Sequence, residues 1–155
     1  LWGLLDKRAV AVGGGNTHRL SLNDAILVKD NHLLLTPKKF EKQWKRVLKR
    51  SGKVRFVELE LDNFQDIRTF VEIHHGLPSR LKSRGNIIVM LDNFAPVDIK
   101  KAVKLLKPTG ATIEVSGGIT ADNIRRYAVS GVSAISSGAI TMRAPSLDLS
   151  LEITP

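Results

Sequence analysis

A run of three glycines stands directly ahead of two side chains that could bind an anion. Residues 13–15 are Gly, and His18 and Arg19 follow closely. Glycine lacks a Cβ, so the backbone there can approach a ligand or a neighbouring chain. Histidine carries a proton near neutral pH, and the arginine guanidinium binds carboxylates in a bidentate fashion. A short apolar run then leads to Lys29, and these cationic residues together suggest a site for a small molecule with several negative charges.

Two glutamates in a later apolar run could also take part in a site. Glu58 and Glu60 lie two positions apart, so a strand would point both to the same side. The two carboxylates would repel each other unless cations or a metal paired with them, and Lys29 on the preceding strand is the obvious cation. Structural ion pairs produce the same pattern, so the residues alone leave both interpretations open.

Two glycine turns near the end of the chain could bind phosphate. Ser116, Gly117 and Gly118 end one predicted strand, and Ser137 and Gly138 follow the next. A glycine turn ahead of a helix presents backbone N–H groups to an anion. Each turn alone is typical of ordinary chain reversal, but as neighbouring loops they favour a phosphate site.

Short apolar strands alternate with helical segments after Asn23. We predict strands at residues 25–29, 55–61, 86–92, 111–116 and 132–136, and helices at 36–50, 63–73, 96–107 and 121–130. Thr36 and Thr120 are predicted caps, Pro37 is placed at the first helical position, and residues 74–86 are predicted as a longer loop. Repeated strand–helix units indicate a parallel sheet with helical crossovers.

Charged or polar residues interrupt or end every predicted strand. They are Lys29, Glu58, Glu60, Asp92, Glu114, Ser116, Ser136 and Ser137. The carboxyl ends of the strands of a (β/α) barrel converge on one face, whereas those of an open doubly wound sheet spread along a line. Five units are too few to close an eight-stranded barrel. We therefore predict an α/β fold, an incomplete barrel-type domain of parallel strands, with Lys29, Glu60, Asp92, Ser116 and Ser136 facing one cavity.

Composition excludes some classes of protein and weakens another. The 155 residues contain no cysteine, which excludes disulfides and thiolate zinc sites. No apolar run approaches the roughly 18 residues of a membrane span. The formal charge is +9, but nine of the 24 Lys and Arg residues fall within 38–55. There they form the solvated face of a helix whose apolar stripe is Phe40, Trp44, Val47 and Leu48, so we expect no nucleic-acid partner.

Several segments in a fixed order resemble the quinolinate phosphoribosyltransferases, also called carboxylating nicotinate-nucleotide pyrophosphorylases. The segments are residues 9–15 with His18 and Arg19, residues 29–32 (Lys-Asp-Asn-His), 57–60, 90–94, 114–119 and 137–141. The resemblance extends from about residue 4 to residue 153. It implies an incomplete α/β barrel and a reaction that joins quinolinate to phosphoribosyl pyrophosphate, with loss of CO₂, in NAD biosynthesis.

The resemblance also implies roles for individual residues. The quinolinate ligands would be His18, Arg19 and Lys29. The ribose and pyrophosphate would be bound by Glu60 and Asp92 through Mg²⁺, with Lys29, Glu60 and Asp92 as the catalytic set. The phosphate would be bound by Ser116, Gly117, Gly118, Ser137 and Gly138. Asn31 and His32 follow Lys29, and we expect His32 to cap that loop. Met142 stands where many members of the family have a histidine, and Arg143 follows it.

The resemblance further implies the organisation of the protein. We expect residues 1–155 to be the C-terminal catalytic barrel domain, without the family's N-terminal α/β domain and its Thr-Arg-Lys-Thr segment. The family implies a cytoplasmic homodimer or higher oligomer with shared active sites. We therefore expect these 155 residues alone to bind quinolinate poorly and to turn over negligibly.

Two alternatives remain open at the level of sequence. One is a related phosphoribosyltransferase that acts on another ring acid. The other is a barrel-like protein without catalysis that binds phosphosugars or nucleic acid. Salt dependence separates the nucleic-acid alternative, because nucleic-acid affinity falls steeply with salt whatever the base sequence.

Overall fold

A computed structural model describes residues 2–29, 36–83 and 85–153. Asn31 and His32 lie outside the described residues. The elements are α1 (Trp2–Val12), β1 (Ala25–Val28), α2 (Pro37–Arg50), β2 (Phe56–Leu61), α3 (Phe64–His75), α4 (Ser79–Lys82), β3 (Ile87–Asp92), α5 (Pro96–Leu106), β4 (Thr112–Ser116) and β5 (Ala134–Ile135). No helix in the described part of the chain has the length and apolar content needed to cross a membrane.

The five strands form one parallel sheet in which their spatial order follows the chain, β1-β2-β3-β4-β5. A doubly wound sheet would reverse direction at a switch point, and this sheet does not. Parallel crossovers are right-handed, so connections that always step in one direction place their helices on one face. The incomplete barrel-type α/β fold predicted from the sequence is therefore confirmed.

The core lies between the sheet and helices α2, α3 and α5. Alternate strand residues such as Leu59, Leu91 and Val115 are fully buried in the same apolar cluster as residues of the helices. Trp44 of α2 is among its largest members, and complete burial of such a side chain contributes about 1.5–3 kcal/mol. Phe40 and Leu48 are buried beside it, so the apolar stripe predicted for α2 is confirmed, and Pro37 begins the helix as predicted.

The sequence analysis did not assign α1, and this helix explains the glycine run. Gly14 has φ +84°, the Gly15 amide donates to the Val10 carbonyl, and the Gly14 amide donates to the Ala11 carbonyl. This is the Schellman arrangement that ends a helix, and its left-handed position favours glycine. The glycine run therefore terminates α1. None of the residues of α1 is buried.

The helix predicted at 121–130 is wrong. The structure has only a three-residue 3₁₀ helix, Ile124–Arg126. The Asn123 side chain accepts from the Thr120 amide and donates to the Gly118 carbonyl. Such local side-chain bonds offer the backbone an alternative to the helical ladder, and Thr120 is consequently not a helix cap.

The long loop predicted at 74–86 is also wrong in part, and one predicted cap is incomplete. Helix α3 continues to His75, and α4 forms one further turn with Leu81 buried. Buried apolar residues thus hold this segment against the core. Thr36 occupies the N-cap position of α2, but its side chain makes no capping hydrogen bond.

Buried His74 provides a test of this packing. Burial lowers the pKa of its imidazole, and the charge of Lys82 lowers it further. The native state therefore binds fewer protons than the unfolded chain below about pH 6.5, so this contribution is complete above that pH and is lost as the pH falls. The free energy of unfolding should fall less steeply in His74→Gln than in the wild type as the pH decreases below about 6.5. The difference in slope is at most about 1.4 kcal/mol per pH unit for one proton. Urea unfolding at several pH values measures the slope.

His75→Gln is the matched control, because it removes an exposed histidine one residue along the same helix. The slope is compared rather than the absolute stability, since Gln could alter packing at either position. A wild-type slope in His74→Gln, together with a flattened slope in His75→Gln, would show that the buried imidazole is not the responsible group.

Candidate active site

The face of the sheet opposite the helices carries the polar strand residues, and we call it the polar face. Strand register aligns Glu58 with Leu27 on one side and Ile88 on the other, and it aligns Met90 with both Glu60 and Glu114. Paired residues of parallel strands point the same way, and side chains alternate between faces. The residues that point to the polar face are therefore Lys29, Glu58, Glu60, Asp92, Glu114, Ser116 and Ser136.

Lys29, Glu60 and Asp92 lie at the carboxyl ends of three adjacent strands, on this face of the sheet. Lys29 Nζ is 3.4 Å from Glu60 Oε2. Asp92 aligns with Ser116, and its Oδ2 accepts from the Asn93 side chain at 2.6 Å. Lys29 is half exposed, and exposed ion pairs contribute at most about 1 kcal/mol to stability. The functional interest of these residues is their charge pattern, which is one cation and two carboxylates at the ends of neighbouring strands.

His18 enters the polar face at a different level. Its Nε2 lies 2.6 Å from Glu58 Oε2, and its ring meets the Phe56 ring edge-on at a centroid distance of 5.3 Å. Arg55, one residue before β2, donates to the His18 carbonyl. His18 is thus anchored near the amino end of β2, whereas Glu60 lies close to its carboxyl end. The structure pairs Lys29 with Glu60, places Asp92 at the end of the next strand, and places His18 deeper, beside Glu58.

Glu114 completes a buried network with His18 and Glu58. The exposed fractions of Glu58 and Glu114 are 2% and 4%, and Ser136 Oγ donates to Glu114. Burial raises the pKa of Glu114, a rise that Ser136 opposes and Glu58 reinforces. The hydrogen bond to Glu58 is the main cause of a raised pKa for His18, although partial burial opposes it. The raised pKa of the imidazole favours an ion pair with Glu58, and burial makes the charged form of Glu114 less favourable than it is in water.

The side chains of His18, Glu58 and Glu114 also have the spacing of potential metal ligands. One donor atom from each of His18, Glu58 and Glu114 lies within 4.8 Å of the others. The His18 nitrogen already bonds Glu58, and Glu114 already accepts from Ser136. We therefore interpret the group as a hydrogen-bonded charge network rather than a metal centre.

The sequence analysis missed the partner of Glu58. It expected Lys29 to balance both glutamates, but Lys29 meets Glu60, and Glu58 is paired with His18, 40 positions away. Glu114 was recognised as a polar strand residue, without its link to Ser136. Arg19 follows His18 and is partly exposed. No pattern of spacing announces a contact between a loop residue and a strand residue this far apart.

The two predicted phosphate loops adjoin each other and the end of β3. The Asn93 amide donates to the Ser116 carbonyl at 3.0 Å, and Ser137 Oγ donates to the Ile119 carbonyl. Ser137 also accepts from the Ala139 amide ahead of a three-residue 3₁₀ helix, Gly138–Ile140. With no long helix after Gly118, a helix dipole cannot supply the anion site expected there. The remaining donors are backbone amides and hydroxyl groups of the turns.

A cavity of about 290 Å³ lies elsewhere, against helices α3 and α5. It is lined by Arg68, Val71, Glu72, His75 and Leu105. These residues belong to the helical layer, on the opposite side of the sheet from Lys29, Glu60 and Asp92. The clustered charges of the polar face, and not this cavity, define the candidate site.

A singly wound parallel sheet defines an α/β barrel-type protein, and proteins of this class bind their ligands at the carboxyl ends of the strands. Comparison with known proteins is specific. The model of the family described as quinolinate phosphoribosyl transferase, C-terminal domain, matches residues 2–152. The chain therefore belongs to this family.

Individual relatives agree with the family assignment. A probable nicotinate-nucleotide pyrophosphorylase [carboxylating] of Methanocaldococcus jannaschii is 39% identical over 96% of this chain and 50% of its own length. The human nicotinate-nucleotide pyrophosphorylase [carboxylating] is 31% identical over 97% of this chain and 47% of its own. The solved nicotinate-nucleotide pyrophosphorylase of Francisella tularensis has a TM-score of 0.73 at 34% identity, covering 96% of this chain and 48% of that one. The chain spans about half the length of the curated relatives it matches.

The loop after β4 yields a prediction about two adjacent glycines. A Cβ on Gly117, at φ +100°, would lie 2.4 Å from Asn93 Oδ1 and 2.6 Å from the Asn93 amide nitrogen. A Cβ on Gly118, at φ +61°, would meet nothing within 4 Å. We expect Gly117→Ala to lower the free energy of unfolding by about 3 kcal/mol or more, because strain and a backbone clash combine. Gly118→Ala adds strain alone, about 1–2 kcal/mol.

Chemical denaturation of both variants measures the difference, and Gly118→Ala is the matched control for Gly117→Ala. Equal losses in the two variants would contradict the close approach of Gly117 to Asn93.

Proposed function

We propose that this chain carries the catalytic site of a phosphoribosyl transfer to quinolinate that yields nicotinate mononucleotide, pyrophosphate and CO₂. The observation that carries the proposal is the group of Lys29, Glu60 and Asp92 on adjacent strand ends, in a chain that belongs to the quinolinate phosphoribosyl transferase family. The names of the relatives, carboxylating nicotinate-nucleotide pyrophosphorylases, support the same reaction.

The reaction has two bond changes at the ring acid. The pyridine nitrogen of quinolinate donates its electron pair to C1′ of phosphoribosyl pyrophosphate, and the bond between C1′ and the pyrophosphate oxygen breaks with its electrons on that oxygen. The bond from ring C2 to its carboxylate then breaks, CO₂ leaves, and a proton takes its place at C2. Positive charge develops at C1′ in the first step, and negative charge develops at ring C2 in the second.

The strand-end carboxylates suit the first step. Glu60 and Asp92 are fixed side chains on the β2 and β3 strands, and their carboxylates would hold the ribose hydroxyls and stabilise positive charge at C1′. Lys29, held by Glu60 at 3.4 Å, would attract the carboxylates of quinolinate. Positioning and electrostatics account for these roles, because two polyanionic substrates must be brought together in one site.

Magnesium fits this end of the polar face. Glu60 and Asp92 offer oxygen ligands on adjacent strands, and Mg²⁺ is commonly bound by one or two carboxylates that leave the rest of its shell to water and substrate phosphates. Within residues 2–29, 36–83 and 85–153, the one group of three or more potential metal ligands is His18, Glu58 and Glu114. We propose that Glu60 and Asp92 hold Mg²⁺ only together with phosphoribosyl pyrophosphate, whose pyrophosphate charge the ion would neutralise.

The different levels of the polar face suggest how the two substrates are arranged. His18 meets Glu58, which lies two residues before Glu60, about 6.6 Å along the strand. Quinolinate bound by His18, Arg19 and Lys29 would then lie deeper than the ribose at Glu60 and Asp92. The adjoining turns at Ser116–Gly118 and Ser137–Gly138 would bind the 5′-phosphate through amides and hydroxyls.

The remaining features of the proposal rest on the family. The relatives are about twice the length of this chain, and their other half would supply further cations for the two polyanions. We propose a cytoplasmic homodimer or higher homo-oligomer in which neighbouring subunits complete each site. A non-catalytic nucleic-acid-binding role has less support, because the basic residues of α2 lie opposite its buried stripe.

Arg19 and Asp92 test the assignment of the two substrates. In the full-length protein, we expect Arg19→Ala to weaken quinolinate binding by about tenfold or more, since a hydrogen bond to a charged group contributes about 1.5–3 kcal/mol. We expect Asp92→Ala to leave quinolinate binding nearly unchanged and to depress turnover, because its proposed contact is to the ribose. Isothermal titration with quinolinate and steady-state kinetics measure the two effects.

Arg46→Ala is the matched control for Arg19→Ala. It removes one exposed arginine from α2, at a distance from the polar face, and so reports the effect of net charge alone. Loss of quinolinate affinity in Asp92→Ala and its retention in Arg19→Ala would reverse the two subsites and end this assignment.

A further inference from the structure

Glu58 is a buried acidic residue of the polar face to which the proposed reaction assigns no role. It is 2% exposed and yet carries a carboxylate on a strand whose other buried residues are apolar. Burial of a charge is costly unless a partner compensates for it, and the partner here is His18 Nε2 at 2.6 Å. The question is why the fold keeps this ion pair within the sheet.

The backbone at His18 needs support from its surroundings. His18 has φ +55°, a left-handed conformation that non-glycine residues adopt at a cost of about 1–2 kcal/mol. Three contacts hold the segment in place: Arg55 donates to the His18 carbonyl, Lys7 donates to the Thr17 carbonyl, and the Phe56 ring packs against the imidazole. These contacts hold the backbone and one flank of the ring. Among the residues that the structure describes, Glu58 is the one that bonds a ring nitrogen, and this bond sets the orientation of the ring.

We propose that Glu58 is the positioning residue for His18: by accepting the Nε2 proton, it turns the imidazole so that Nδ1 is the nitrogen left to bind a carboxylate of the ring acid. This inference rests on the proposed function, since it specifies how the quinolinate subsite is prepared. The side chain of His18 is 29% exposed, so a ligand can reach it, whereas Glu58 is closed to solvent. Glu58 therefore acts through His18 and makes no contact with substrate.

The charges around His18 agree with this role. Glu58 on β2 and Glu114 on β4 raise the pKa of the imidazole, and Lys7 on α1 lowers it, with the bond to Glu58 the largest effect. A charged ring with Nε2–H bonded to Glu58 offers Nδ1–H as a donor, and hydrogen bonds between charged groups are the strong ones. The affinity for a dicarboxylate is therefore highest below the raised pKa of His18, and it falls as the pH rises through that pKa.

Glu114 provides a matched control within the same network. It is as buried as Glu58, but its bond is to Ser136 and not to the imidazole. Burial raises the pKa of Glu114, and Glu114→Gln removes a carboxylate that affects the imidazole through its charge alone and not through a hydrogen bond. Glu58→Gln keeps the side-chain length and one acceptor oxygen but removes the negative charge. Glu58→Asp keeps the carboxylate but shortens the side chain by one methylene, which moves the carboxylate away from His18.

The first measurement is the titration of His18, followed through its ring ¹⁵N chemical shifts in the 155-residue chain. We expect the midpoint in the wild type to lie above the ordinary value, with Nε2 protonated throughout. We expect Glu58→Gln to lower the midpoint, Glu58→Asp to lower it less, and Glu114→Gln to move it least. A midpoint in Glu58→Gln equal to that of the wild type would overturn the inference.

The second measurement is quinolinate affinity against pH in the full-length protein, together with kcat and KM. We expect Glu58→Gln to weaken quinolinate binding about tenfold, since it weakens one charged hydrogen bond, and to shift the fall in affinity to lower pH. KM for quinolinate should rise with little change in kcat. In a His18→Gln background, Glu58→Gln should have no further effect on quinolinate affinity, because the imidazole through which Glu58 acts has been removed.

The outcomes separate the two levels of the proposal. If the wild-type protein does not bind quinolinate, the proposed function fails. If the wild type binds quinolinate and Glu58→Gln keeps its affinity and pH profile, the positioning role fails while the function stands. If Glu58→Gln does not fold, Glu58→Asp provides the test. A His18 titration midpoint and a pH profile of quinolinate affinity that are unchanged in that variant would overturn the positioning role of Glu58.

Discussion

The two-residue alternation of the parallel strands is the constraint on which the rest of the molecule depends. In β2 it sends Val57, Leu59 and Leu61 into the core and Glu58 and Glu60 to the opposite face. The apolar residues stabilise the fold through contact with α2, α3 and α5. Because side chains alternate along a strand, this packing fixes Glu58 and Glu60 on the opposite face. A shift of register by one residue would place the glutamates in the core and the leucines on the polar face.

Charges presented in this way must be compensated, and the fold uses two solutions at two levels. At the carboxyl end of the strands, Glu60 is partly exposed and meets Lys29 at 3.4 Å, so water and ligands can reach both groups. Deeper in the sheet, Glu58 is closed to solvent and needs a close partner, which His18 provides at 2.6 Å. The pair of Lys29 and Glu60 can exchange partners with a charged substrate, whereas the pair of His18 and Glu58 holds the imidazole in a fixed orientation. The distinction follows from solvent access, because the strength of an ion pair and the cost of breaking it both rise as water is excluded.

The turns at the carboxyl end are held by contacts between loops rather than by long helices. Gly117 passes so close to Asn93 that a side chain would collide with it, and Ser137 bonds the carbonyl of Ile119. The ends of β3, β4 and β5 are thereby tied into one surface. A crossover with only a 3₁₀ turn between β4 and β5 leaves this surface dependent on backbone conformation, which is why a single glycine is so important there.

The sequence by itself determined the fold class, three of the four predicted strand–helix pairs and the strand-end residues Lys29, Glu60 and Asp92. Periodicity and turn chemistry are local, so they can be read along the chain, and they placed every strand within about two residues of its position. The assignment of a helix at 121–130 failed because Asn123 bonds its own loop, and α1 was missed because its apolar residues form no buried stripe. Only the tertiary structure decided that His18 meets Glu58, that Lys29 pairs with Glu60, and that the glycine run ends a helix. Those outcomes depend on which distant residues share a depth in the sheet, and depth is set by register and loop path, which no spacing within a single strand encodes.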